Sequence, residues 1–249
     1  IKILFVFGVK IKIKLLIQRF KETNIVMNFS KPIDMPRSTH YGNNYYTVYS
    51  KKLHRICQFY SNLEYFNFLS LEISPLVETF CEQPLKIEII QDNKLKYAIL
   101  DMWVRYRNGK EEFQEVKYSS ELTGDSPESI RSKEQIRREE QWCKENGVDF
   151  VIRTEKTISQ GRFFLNNANI IAARIRRYTP HEDKYYNPRI IAVLQKYEKI
   201  SIEDLINNGL LPLNSEIDHL CYMYEKGLID MNISSQPLGG KTEVSLWQK

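Results

Sequence analysis

The chain has 249 residues, 42% of them hydrophobic and 27% charged, a balance that fits a soluble globular protein with one large domain or two modest ones. Its net charge of +5 is matched by residues 1–26 alone, where six Lys/Arg meet one Glu, so the rest is neutral overall and total charge is weak support for a nucleic-acid partner. Cys57, Cys81, Cys143 and Cys221 are widely spaced and form no C-x-x-C pair, which argues against zinc and a disulfide framework and suits a reducing cytoplasm.

In chain order, residues 1–26 come first, with Met27 the first methionine. Lys2, Lys10, Lys12 and Lys14 interrupt the apolar run too often for a membrane span, and the segment reads as an upstream extension. An amphipathic arm for a membrane or a partner is the alternative. Residues 27–50 are polar and tyrosine-rich and read as a loose lead-in. "SNLEYFNFLSLE" (61–72) predicts a mostly buried helix with a Ser61/Glu64 capping box. "LKIEIIQ" (85–91) and "LKYAILDMWVRY" (95–106) alternate as strands, and Asn108-Gly109 marks a second hairpin that returns through "EEFQEVKY". Residues 128–147 predict a charged helix stopped by Gly147, a solvent-facing cover packed through Ile130, Ile136 and Trp142. "VDFVIRT" (148–154) follows as a short strand, and the strand–helix–strand order predicts a parallel pairing with the meander. The expected fold class is α/β, with a mixed sheet flanked by helices in residues 27–160.

From residue 161 the pattern becomes helical. A helix over "RFFLNNANIIAARIRRY" leads to a break at "TPHEDKYYNP". Three short helices follow ("RIIAVLQKYEK", "SIEDLINNG", "NSEIDHLCYMYEKG"), then a hairpin from "LIDMNIS" and "TEVSLW". Three helices and a terminal hairpin describe a winged helix-turn-helix over residues 161–249. Its last helix offers Glu216, Asp218 and Glu225 against only Lys226, which disfavours phosphate contact and favours a protein partner. Arg162, Arg174, Arg176, Arg177 and Arg189 are better placed for DNA, with a solvated helix face as the plain alternative.

The chemistry centres on four residues. Asp101 is an acid inside an apolar strand, which needs a cation or a hydrogen-bond network as partner. Glu115 and Lys117 share one face of the next strand. A two-residue turn at Asn108-Gly109 turns Asp101 away from Glu115, whereas a three-residue loop with Gly109 in the left-handed bulge position sets the two opposite each other. Glu64 lies between Phe68 and Leu71 on the helix, and a capping role and a site role are evenly balanced from its surroundings. The plain reading of Asp101, Glu115 and Lys117 is a buried salt-bridge cluster; the sharper one is a Mg²⁺ site, where carboxylates hold the ion and the ammonium steers a water.

"SNLEYFNFLSLEISPLVETFCEQPLKIEI" followed by "LDMWVRYRNGKEEFQEVKY" resembles the TnsA family of transposon endonucleases, from about residue 45 to the C-terminus and most strongly over 61–118. The resemblance implies a restriction-endonuclease-like domain followed by a winged helix. It also implies a metal-dependent endonuclease that cuts transposon 5′ ends in cut-and-paste transposition. The family's catalytic residues fall on Glu64, Asp101 and Lys117, with Glu115 at a position where members carry Gln or Glu. Leu100 replaces a frequent proline. Glu64, Asp101 and Glu115 would then hold Mg²⁺, or Mn²⁺ in its place, and Gln83 of "EQPL" would shape a turn. The implied partners are transposon-end DNA, an integrase-type transposase subunit and an AAA+ ATPase regulator reached through the C-terminal domain, with no membrane. A restriction-type or junction-resolving nuclease of the same fold, and a non-catalytic interaction module, are the competing readings.

Overall fold

The structure is a computed structural model that describes residues 29–34, 44–91, 94–180 and 183–248. The 1–26 extension and residues 27–28 and 35–43 of the expected lead-in lie outside them. The lead-in is not wholly loose: β1 (Tyr46–Ser50) pairs antiparallel with β2 (Arg55–Phe59). Ser61 then caps α1 (Asn62–Ile73), its hydroxyl accepting from the Glu64 amide at 3.1 Å. Leu63, Phe68, Leu69, Leu71 and Ile73 bury α1 against the core.

The central sheet contains β3 (Val77–Glu82), β6 (Met102–Tyr106), β7 (Glu111–Val116) and β8 (Asp149–Arg153) in the order β3-β6-β7-β8. β4 (Lys86–Gln91) and β5 (Lys94–Ile99) form a separate hairpin. The single strand expected over 95–106 is therefore two, broken at Leu100–Asp101. The break is where the chain changes sheets: the Leu100 amide donates to Leu85, and the Gln83 amide donates to the Asp101 carbonyl at 2.9 Å. Gln83 itself takes a left-handed conformation, φ 36°.

The β6–β7 connection is the three-residue loop. The Tyr106 amide donates to the Lys110 carbonyl at 2.8 Å, the Gly109 amide donates to Tyr106 at 2.9 Å, and Gly109 has φ 83°. The pairs Arg105↔Glu111 and Met102↔Gln114 follow. Continued one step past the ladder, this register sets Asp101 opposite Glu115. After the short α2 (Ser119–Thr123), α3 (Pro127–Asn146) crosses the sheet and ends at left-handed Gly147, and β8 pairs parallel with β7 as the strand–helix–strand order predicts. Trp142 and Ile136 of α3 face inward, but Ile130 is 48% exposed and does not anchor the helix.

Beyond α4 (Glu155–Ile158) come α5 (Phe164–Arg177), α6 (Asp183–Tyr197), β9 (Lys199–Ser201), α7 (Ile202–Asn207) and α8 (Glu216–Glu225). β10 (Ile229–Met231) and β11 (Glu243–Leu246) complete a three-stranded antiparallel sheet in the order β10-β11-β9. The expected break before residue 189 is shorter than the sequence suggests. α6 already runs from Asp183 with Pro188 inside it, its first turns held by Tyr186 against His219 and by Arg189 over the Tyr185 ring. One hydrophobic core runs from Phe68 and Phe80 through Ile171 to Leu220 and Val244, so α1, α5 and α8 are packed in succession. No helix among the described residues is long and apolar enough to cross a membrane.

Candidate active site

The two faces of β7 are covered by different helices, and the four sequence-selected residues lie where the faces meet. On one face Asn67 of α1 donates to Gln114 at 2.8 Å. On the other, Gln135 of α3 donates to Glu115 Oε1 at 2.9 Å. Asp101, freed from the ladder by the strand break, turns its carboxylate to the end of β7 and accepts from the Val116 amide at 2.8 Å. Lys117 leaves the strand just beyond and reaches back to Glu115 at 2.9 Å.

Glu64 approaches from the first turn of α1. One carboxylate oxygen accepts from the Ser61 hydroxyl at 2.9 Å; the other accepts from the Tyr60 amide and from Gln83 Nε2, both at 3.3 Å. The capping role and the position beside Asp101 thus coexist in one side chain. Gln83 does more than shape a turn. Its backbone fixes Asp101 while its side chain fixes Glu64, joining the two acids through one buried residue.

The electrostatics follow from crowding. Burial, and then the neighbouring Asp101 charge, push the Glu64 carboxyl up to about 7. The same two causes raise Glu115 well above the usual range. Burial raises Asp101 too, more than Lys117 and the Val116 amide lower it. For Lys117 burial works the other way, but Glu115 and Asp101 outweigh it and hold the ammonium protonated. Negative charge gathers here around one cation, an arrangement that would be relieved by a second.

A fourth carboxylate joins these three acids and was not singled out from the sequence. Glu139 of α3 is fully buried, shares Gln135 with Glu115 (2.9 Å), and is lifted to about 7, chiefly by burial. The spacing of Gln135, Glu139 and Cys143 marks an inward helical stripe, a signal hidden by counting the helix's charges without their periodicity. Glu115 Oε2 and Glu139 Oε2 are buried without a hydrogen-bond partner. Among the described residues no group of three His, Cys, Asp or Glu side chains stands ready-arranged as a metal cage. Both oxygens of Glu64 and Oε1 of Glu115 are instead engaged, by Ser61, Tyr60, Gln83, Lys117 and Gln135.

A mixed sheet flanked by helices, with acids and a lysine at the end of its strands, fits the restriction-endonuclease-like class. Residues 74–155 match the family described as TnsA-like endonuclease N terminal, which supports a TnsA-type endonuclease over this segment. The match takes in Asp101, Glu115, Lys117 and Glu139; Glu64 lies before it and joins them through the fold. No curated protein matches the chain.

Proposed function

We propose that the chain is a metal-dependent DNA endonuclease subunit of a heteromeric transposase, cutting at transposon 5′ ends, with Glu64, Asp101, Glu115 and Lys117 as its catalytic residues. The observation that carries this reading is the convergence of Glu64 and Glu115, from opposite faces of the sheet, on Asp101 at the strand break. The hard oxygen donors suit Mg²⁺ or Mn²⁺, and the buried, unpartnered Glu115 Oε2 is a donor of the right kind. Glu64, Asp101 and Glu115 would hold the ion. Once bound, it neutralises phosphate charge and makes water a better nucleophile at neutral pH. Lys117 stays protonated, is oriented by Glu115, and is suited to position the attacking water and stabilise charge on the phosphate. Glu139 and Gln135 orient Glu115 from behind.

For residues 161–249 the winged-helix reading is supported by the helix order and the three-stranded sheet. A groove-reading role for α8 is not: Asp218, His219, Leu220, Cys221, Met223, Tyr224 and Glu225 are all buried. Arg174 and Arg177 are spent on Asp218, at 2.7 and 2.8 Å, which leaves Arg162, Arg176 and Arg189 as the DNA-contact candidates from the basic stretch. We assign this part to contact with partner proteins, an integrase-type transposase and an AAA+ regulator.

The test is nicking of a plasmid that bears the transposon ends, with and without the partner transposase. Cutting that needs Mg²⁺ and the transposase, and disappears in Asp101→Ala, is the expected result. Cutting of arbitrary DNA without the transposase would point to a restriction-type enzyme, and no cutting under any condition to an interaction module.

A further inference from the structure

Three tyrosines lie beside the residues of the site in the chain or through a ring contact. Glu115 and Glu139 are fully buried, whereas Glu64, Asp101 and Lys117 keep partial exposure, so a phosphate must enter on the side of these three. Tyr60, the residue whose amide holds Glu64, has its ring against that of Tyr45: centroids are 5.4 Å apart and planes inclined by 55°. Tyr118, next in the chain after Lys117, is 42% exposed. Its amide is fixed by Glu121 at 3.4 Å. Tyr45 is 41% exposed. The neighbouring Tyr46 shows the alternative a tyrosine has here. It lies flat on Tyr65 at 4.3 Å, with its hydroxyl on Asn62 at 2.7 Å.

Single exposed aromatics are ordinary. Here, however, the rings are carried by the same stretches of backbone that hold the acid and the lysine, beside the partly exposed side of the site. The acids lie below the surface, so a regular duplex must distort to bring a backbone phosphate to them. Unstacking a base costs a few kcal/mol, and an aromatic ring that receives the base returns about 1–3 kcal/mol whatever the base's identity. We propose that Tyr45, Tyr60 and Tyr118 form a stacking subsite for a nucleobase adjoining the scissile phosphate. The subsite would position the strand without reading its sequence. This rests on the nuclease reading above.

The test uses the full chain with Ca²⁺ in place of Mg²⁺ to suspend cleavage. The probe is an oligothymidylate of about twelve nucleotides carrying a central 5-iodouracil, which photo-crosslinks to stacked aromatic rings. Crosslinks should map to Tyr45, Tyr60 or Tyr118. Affinity should fall about 10-fold in the Tyr60→Ala/Tyr118→Ala double variant and be retained in the Tyr→Phe counterpart. The single Tyr118→Ala variant changes only an exposed side chain and should show part of the loss if the double variant misfolds. Crosslinks only at other residues, or alanine variants that bind like the parent, overturn the subsite. A parent chain that crosslinks through these rings yet never nicks DNA with Mg²⁺ and its partners keeps the subsite and sinks the nuclease reading.

Discussion

Asp101 and Asp218 are both largely enclosed aspartates at element ends, and their surroundings treat their charge in opposite ways. Asp218, in the first turn of α8, receives three hydrogen bonds from Arg174 and Arg177 at 2.7–3.0 Å. Burial works against its charge, but the two arginines outweigh it and hold the carboxyl below its ordinary range. Asp101 has one amide and a lysine shared with Glu115, and burial leaves its carboxyl raised. At Asp218 the charge is completed by two arginines of the neighbouring helix, which is what a structural joint between α5 and α8 requires. The β6–β7 end leaves carboxylate charge uncompensated, which is costly to the fold and useful to an enzyme that binds a cation.

The contrast can be broken most severely at Asp101. Asp101→Asn keeps the side-chain shape and should lower Mg²⁺-dependent nicking by roughly 10²–10³-fold while urea unfolding stays close to the parent. Unchanged nicking would remove Asp101 from the site. At Asp218 the expected pattern is reversed. Asp218→Ala leaves Arg174 without its carboxylate and should cost about 1–3 kcal/mol in urea unfolding, discounted because Arg177 is mainly exposed, with nicking per folded molecule preserved.

Gly109→Ala probes the loop that sets the register. A Cβ there meets nothing within 4 Å, so the expected penalty of about 1 kcal/mol comes from the left-handed backbone alone. A larger loss would mean that the loop contributes more than its turn.

The smallest effect is a difference between two pH values. Glu64 is raised from 4.5 to about 7, so its contribution to stability is complete below 4.5 and lost as pH rises through 7. A divalent ion that binds the ionised cluster offsets this loss. Mg²⁺ or Mn²⁺ should therefore raise the Tm by about 2–4 °C more at pH 8 than at pH 6. Equal shifts at the two pH values would argue against ion binding by these carboxylates.

Much of this was legible in the sequence because it is local. Asn108-Gly109 offered two loops, one of which puts Asp101 opposite Glu115, and the β7–α3–β8 order required a parallel pair. What was not legible depends on distant partners. The strand break at Leu100–Asp101 is made by backbone hydrogen bonds with the Gln83 amide and the Leu85 carbonyl, on segments that a strand pattern treats as separate. In the sequence Asp218 reads as a repulsive charge, because its arginines lie 41 and 44 residues away. Ile130 was assigned inward from apolarity, while the inward stripe of α3 runs through Gln135, Glu139 and Cys143, two of them polar. Polar residues turned inward for a site defeat a rule that sends apolar residues in and charges out.

Anomalous diffraction from crystals soaked in Mn²⁺ locates the ion against Glu64, Asp101 and Glu115. A peak is expected among the carboxylates of Glu64, Asp101 and Glu115, beside Lys117 and absent in Asp101→Asn. Manganese bound only elsewhere, or at this position irrespective of Asp101, would contradict it.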